Sequence, residues 1–223
     1  MTRVRIAPSL LAADFARLVD ALAAAEQGGA DLVHVDVMDG HFVPNLTIGP
    51  PVVRALRAAT RLALDVHLMI EEPERTLIEY LDAGADWVSV HVEATRHLQR
   101  CLATIRKAGA RAGAALNPAT PPHALAASWA DLDYAVVMSV NPGWGGQPFL
   151  PGSVEKVRRL QNEASEGGTR PTIEVDGGVD ESNAAALAAA GAEILVAGTA
   201  IYGSSDPVAA IGRLRTAAEG VRA

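Results

Sequence analysis

Three short stretches each set two ionisable residues two positions apart: His34-Val35-Asp36, Asp65-Val66-His67 and Glu174-Val175-Asp176. On an extended chain, residues i and i+2 share one face, so each pair points the same way. Two imidazoles and two carboxylates drawn from these stretches, His34, Asp36, His67 and Asp176, suit a divalent transition metal such as zinc, manganese or iron. For any one pair, the plainer alternative is a buried, internally satisfied polar couple. Three such stretches at three strand ends favour ligation, because unpaired buried carboxylates are costly. Asp65 and Glu174 are then supports that hold a ligand or close a salt bridge.

Glycines supply a second chemistry. Asn141-Pro142-Gly143-Trp144-Gly145-Gly146-Gln147, Gly177-Gly178 and Gly198-Thr199 each follow a predicted strand. Three such loops side by side can present backbone N–H groups to an anion, reinforced by helix N-termini. A chain of net charge −7 could hold a phosphate in this way without a basic patch. Ser9 ends the first predicted strand and could bond a substrate oxygen or merely the backbone. Met38, Met69 and Met138 end or follow strands. They read equally as gap-filling core or as an apolar cap that excludes water from the reacting carbons. His41, His91, His97 and His123 show no pattern beyond surface or structural roles. The two lysines, Lys107 and Lys156, fall in predicted helices, which argues against a Schiff-base mechanism. Cys101, also in a predicted helix, reads as structural.

The elements that must position these groups recur along the chain. Gly29-Ala30-Asp31, Gly84-Ala85-Asp86, Gly109-Ala110-Arg111 and Gly191-Ala192-Glu193 each follow a helical run and precede an apolar one. Glycine ends helices in the left-handed conformation, so these are helix-to-strand junctions. Their spacings fit two, one and three units of about 27 residues, a plausible βα size, and the whole chain fits about eight. Strands are predicted near 3–9, 32–37, 62–68, 86–91, 111–116, 133–139, 171–176 and 193–197. Several lack a polar face, as strands of a helix-covered parallel sheet do. Helices are predicted over Asp14–Gln27, Pro73–Ala83, Gly152–Glu166 and Ser182–Ala190, with Asp14 and Asp180 as N-caps. The pattern predicts an α/β fold, a single (β/α)8 TIM barrel over residues 1–223, with its chemistry at the C-terminal strand ends. The rival, a doubly wound open sheet, lacks its G-x-G-x-x-G after the first strand.

Composition agrees. Of 223 residues, 49% are hydrophobic and 20% charged, which excludes a disordered chain or a disulfide-stapled miniprotein. The acidic balance argues against a nucleic-acid partner. The longest apolar stretch, Ala184 to Ile201, is broken by Gly191, Glu193 and Gly198 and reads as helix, turn and strand, not as a membrane span. Arg3 and Arg5 before a run interrupted by Pro8 read as a first strand, not a signal peptide. A single cysteine suits a reducing compartment, and the cytoplasm is the expected location.

Six segments together resemble the ribulose-phosphate 3-epimerase family. They are Ile6-Ala7-Pro8-Ser9-Leu10, the twelve residues from His34 to Asn45, Asp65-Val66-His67-Leu68-Met69, Asn141 to Gln147, Glu174-Val175-Asp176-Gly177-Gly178, and Ala197-Gly198-Thr199-Ala200-Ile201. The resemblance spans nearly the whole chain. It implies an isomerase of carbohydrate metabolism that interconverts D-ribulose 5-phosphate and D-xylulose 5-phosphate through an enediolate, in the pentose phosphate pathway and, where one exists, the Calvin cycle. It implies one divalent metal ion per subunit, zinc, iron, manganese or cobalt, on His34, Asp36, His67 and Asp176, with Asp36 and Asp176 as the acid/base pair. It implies substrate contacts from Ser9, His67, Gly143, Trp144, Gly145, Gly146, Asp176, Gly177, Gly178, Gly198 and Thr199, and a homo-oligomer, dimer or hexamer. Thr199 stands where many relatives have Ser and keeps the hydroxyl; Ala12 stands where the first motif often has Ser. The competing expectations are a hexulose 6-phosphate 3-epimerase and a non-catalytic sugar-phosphate-binding barrel.

Overall fold

Short apolar runs separated by glycine-ended helices fold here into one ring. The computed structural model describes residues 3–220, so the outermost residues of the expected 1–223 domain lie outside the description. Eight parallel strands run β1 (Arg5–Pro8), β2 (Leu32–Met38), β3 (Ala63–Met69), β4 (Trp87–His91), β5 (Arg111–Leu116), β6 (Tyr134–Met138), β7 (Thr172–Asp176) and β8 (Ile194–Ala197). They follow chain order around a nearly closed barrel, in which β1 pairs with β8. Between β1 and β2 the ladder reduces to the bridge Ser9↔His34 and a backbone bond from Asp31 N–H to the Ile6 carbonyl.

Helices α1 (Leu18–Gln27), α2 (Pro50–Ala59), α3 (Leu77–Asp82), α4 (Leu98–Lys107), α5 (Gly152–Glu166), α6 (Ala184–Ala190), α7 (Thr199–Tyr202) and α8 (Pro207–Glu219) cover the sheet. The β5–β6 connection is instead a series of 3-10 turns over Pro122–Asp131. Glycines at the junctions take the left-handed conformation expected of them, φ 71° at Gly29, 102° at Gly84, 88° at Gly109 and 115° at Gly191. The helix expected from Asp14 begins as a 3-10 turn, and Asp14 caps it by accepting from Ala16 N–H. Asp180 does not cap α6: its carboxylate accepts from Ser182, one turn too early, and Asn183 occupies the cap position.

Three apolar clusters fill the molecule, one of them Met38, Val43 and Met69 beside the mouth. The largest lies between sheet and helices, with Val33, Val35 and Val37 of β2 and Val66 and Leu68 of β3 facing outward. Another fills the barrel interior with Ala7, Leu32, Trp87, Ala115, Tyr134, Val136, Met138, Ile194 and Val196. At the N-terminal floor, the guanidinium groups of Arg5 and Arg111 lie 5.2 and 4.4 Å from the Trp87 ring centre, a cation–π plug. The alternation that sends the valines outward sends His34, Asp36, Asp65, His67, Glu174 and Asp176 inward.

Candidate metal centre and active site

Strand register makes the cluster. In the β2–β3 ladder, Asp36 stands opposite His67 and His34 opposite Asp65. Asp176, at the end of β7, reaches the same point from across β8 and β1. One atom each from His34, Asp36, His67 and Asp176 fall within 4.8 Å of one another. His34 Nε2 lies 3.4 Å from Asp36 Oδ1 and 3.8 Å from Asp176 Oδ2. His67 Nδ1 lies 3.5 Å from Asp176 Oδ2 and 3.8 Å from Asp36 Oδ1. Both imidazole nitrogens are buried and make no hydrogen bond. Two orphaned lone pairs facing two carboxylate oxygens fit a divalent cation, and the mixed nitrogen and oxygen donors suit several transition metals.

The tautomer of His34 follows from its other nitrogen. Nδ1 lies 2.6 Å from Asp65 Oδ2, so it carries the proton and leaves Nε2 free to bind. Asp65 Oδ1 in turn accepts from Tyr134 Oη at 2.8 Å. Burial opposes the imidazolium of His34, but Asp36 and Asp65 overcome it and raise its pKa well above the ordinary value, so a cation would take Nε2 in place of a second proton. Asp36 is shifted the other way: burial favours the neutral acid, and His34, His67 and Ser9 pull its pKa below the usual range. Glu174 Oε1 lies 3.5 Å from His34 Nδ1, and burial together with Asp65 raises the Glu174 pKa well above normal. Asp65 takes the supporting place expected of it, whereas both Glu174 carboxylate oxygens are buried and make no hydrogen bond.

Tyr134 has its place because of a glycine. Gly113 pairs with Tyr134 across β5 and β6, and a Cβ at Gly113 would lie 2.3 Å from Tyr134 Cζ. Gly113→Ala is expected to cost about 1–3 kcal/mol and to loosen the Tyr134–Asp65–His34 chain. Denaturant unfolding checks this; an unshifted midpoint would show that the ring moves aside freely.

A cavity of about 470 Å3 opens above the cluster at the C-terminal mouth, lined by Ser9, Asp36, Asp176, the three methionines and the glycine loops. Ser9 makes the backbone bond expected of it, Oγ accepting from Leu11 N–H, and also donates to Asp36 Oδ2 at 2.6 Å. Met38, Met69 and Met138 are almost fully buried at the cavity wall. The three loops converge as read from sequence. Gly178 takes φ 63°, and a Cβ there would lie 2.9 Å from the Gln147 carbonyl oxygen and the Phe149 nitrogen, so the β6 and β7 loops touch backbone to backbone. A Cβ on Gly146, at φ 73°, would lie 3.7 Å from Thr199 Oγ1. Gly143, Trp144, Gly145, Gly177 and Gly198 also line the mouth, with Trp144 half exposed.

His91 and Glu93, which showed no signal in the sequence reading, also belong to the site. His91, at the end of β4, is fully buried, and its Nε2 lies 2.9 Å from His67 Nε2. The missed signal is another ionisable pair two positions apart, His91-Val92-Glu93, at a fourth strand end.

The ring, its mouth cavity and the His/Asp cluster define the class: a (β/α)8 barrel with a site compatible with a divalent metal at its C-terminal face. The model of the ribulose-phosphate 3 epimerase family matches residues 5–202, and the chain belongs to that family. It is 49% identical over 213 residues to ribulose-phosphate 3-epimerase of Bacillus subtilis, covering 95% of this chain and 98% of that one. It is 50% identical over 208 residues to the chloroplastic ribulose-5-phosphate-3-epimerase of Arabidopsis thaliana, covering 92% and 74%. Among solved structures, KGPDC from Streptococcus mutans in complex with D-R5P superposes with a TM-score of 0.73 at 17% identity, covering both chains in full. A 3-hexulose-6-phosphate synthase superposes at 0.67 with 22% identity, covering 97% of this chain and 99% of that one. These two likenesses concern the fold alone. Among the described residues, no helix is long and apolar enough to cross a membrane.

Proposed function

We propose that the chain interconverts D-ribulose 5-phosphate and D-xylulose 5-phosphate by inverting carbon 3, a step of the pentose phosphate pathway. The observation that carries this reading is the four-residue cluster of His34, Asp36, His67 and Asp176 at the barrel mouth, in a chain about half identical to enzymes named for that reaction. One divalent ion per subunit, zinc, iron, manganese or cobalt, would sit among these four side chains and supply Lewis-acid stabilisation of the sugar's developing oxyanion.

The chain's own groups do the rest. Inversion removes the carbon 3 proton from one face and returns one to the other, leaving an enediolate between the two steps. Asp36 and Asp176 serve as that pair, one entering as carboxylate and the other as carboxylic acid, exchanging forms with each turnover. Their strands are separated by β8 and β1, which supports approach from two sides of the sugar. Ser9, bonded to Asp36 Oδ2, orients the oxygen turned away from the imidazoles. Met38, Met69 and Met138 cap the reacting carbons and keep water from the carbanion. The phosphate end lies against Gly143–Gly146, Gly177-Gly178 and Gly198-Thr199, near strands seven and eight and the short helix α7, where barrels commonly hold phosphate. Binding there orients a carbon several bonds away.

The test is turnover of D-ribulose 5-phosphate in deuterated water. The expected product is xylulose 5-phosphate carrying deuterium at carbon 3. Product without deuterium would rule out exchange through a solvent-equilibrated enediolate, and absence of product from metal-loaded protein would overturn the substrate assignment.

A further inference from the structure

His67 meets the cluster through Nδ1, so its proton must reside on Nε2 for the Nδ1 lone pair to be free. The group it meets at Nε2 is His91. The two ring planes are inclined by 18° with centroids 4.9 Å apart, and the facing nitrogens are 2.9 Å apart. That spacing is close to the nitrogen contact plus two ring radii, so the rings lie edge to edge in an N–H···N bond. Only one proton can occupy it. His91 Nδ1 lies 3.2 Å from Glu93 Oε2. A carboxylate there makes Nδ1 the donor and Nε2 the acceptor, which forces the shared proton onto His67.

Glu93 is itself pinned. Its Oε1 accepts from Asn117 N–H at 2.9 Å. Burial alone would raise its pKa, but hydrogen bonds from His91, Thr120 and Asn117 bring it down to about 2. Phe42, with its ring centre 4.7 Å from that of His91, closes the remaining side. The arrangement mirrors the other ligand, where Asp65 fixes His34 directly; here an imidazole is interposed because Glu93 sits one strand further round.

We infer that His91 and Glu93 are positioning residues that act through His67, setting it in the Nε2–H tautomer and so presenting Nδ1 to a divalent cation. The inference rests on the metal reading of the proposed function, and its test separates the two. Ring-nitrogen NMR of 15N-histidine-labelled, metal-free protein at mildly alkaline pH reads the tautomer without any metal. The native protein is expected to show His67 protonated on Nε2. Glu93→Ala frees His91 to carry its proton on Nε2, so His67 is expected to switch to the Nδ1–H form, with cobalt affinity, read from the visible absorption of bound Co2+, falling about 10–100-fold. Glu93→Gln keeps an acceptor and is expected to restore the native tautomer and an affinity within a few-fold of native.

His67 protonated on Nδ1 in native metal-free protein would overturn the inference, and this needs no variant to fold. So would a Glu93→Ala protein that binds cobalt weakly with its tautomer unchanged, since that outcome assigns Glu93 only the tie to the β5 loop. Failure of the native protein to bind cobalt would instead count against the metal reading.

Discussion

Asp176→Asn is expected to lower turnover of D-ribulose 5-phosphate by about 10³-fold or more, within the range a positioned acid or base contributes. The amide is nearly isosteric with the carboxylate, so β7 and its loop keep their packing. What disappears is the only carboxylate that β7 presents to the cavity: Glu174, two residues earlier, lies beneath the mouth and is completely buried. The carboxamide that replaces it can neither take the carbon 3 proton nor return one. The same exchange weakens metal binding, because Asp176 Oδ2 is one of the four clustered atoms. Metal content must therefore be measured alongside the rate. A metal-loaded Asp176→Asn protein with near-native turnover would remove Asp176 from proton transfer.

Chelation is expected to abolish turnover, and adding back a divalent transition metal to restore it. The physical ground is the pair of orphaned nitrogens, His34 Nε2 and His67 Nδ1, facing two carboxylates in a buried pocket. A bound cation also favours the folded state by mass action, by about 2.7 kcal/mol at a free concentration one hundred times Kd. For a chain of this size that corresponds to about 5–10 °C in Tm. Thermal unfolding of stripped and reloaded protein checks the stability, and an assay on the same samples checks the rate. Full activity in protein shown to be free of metal would cancel the ligand assignment while leaving the two carboxylates as acid and base.

The strands were legible because their signal is local. Leu32–Met38 and Tyr134–Met138 are apolar runs bounded by turn residues, and their observed limits fall within a residue of those read from sequence. His34, Asp36, His67 and Asp176 were legible because alternation fixes which side chains share a face. Register was not: that Asp36 faces His67, rather than a neighbour one step along, is set by how β2 and β3 pair. Tyr134 carried no sequence sign of touching Asp65, since that contact depends on Gly113 leaving space on another strand. The His91–Glu93 couple was overlooked because two histidines form a ligand and its support only when strands three and four are seen together. Asp180 failed as a cap for a smaller reason, an Asx turn with Ser182 that claims the carboxylate before α6 starts.

The seam between β1 and β2 ties the chemistry to the mechanics of the fold. Elsewhere the ring is zipped by multi-residue ladders, whereas here the fastening is the Ser9↔His34 bridge, the pair of bonds between Asp31 and Ile6 (Asp31 N–H to the Ile6 carbonyl, Ile6 N–H to the Asp31 carboxylate) and the Ser9–Asp36 hydroxyl contact. Native-state openings start where such fastenings are fewest, so amide exchange at Asp31, whose N–H crosses the seam to the Ile6 carbonyl, should outpace exchange within the β3–β4 and β5–β6 ladders. Ser9, His34 and Asp36 are also site residues. A ligand gripping them works as a clasp on the barrel, and occupancy of the site slows the breathing of the whole ring.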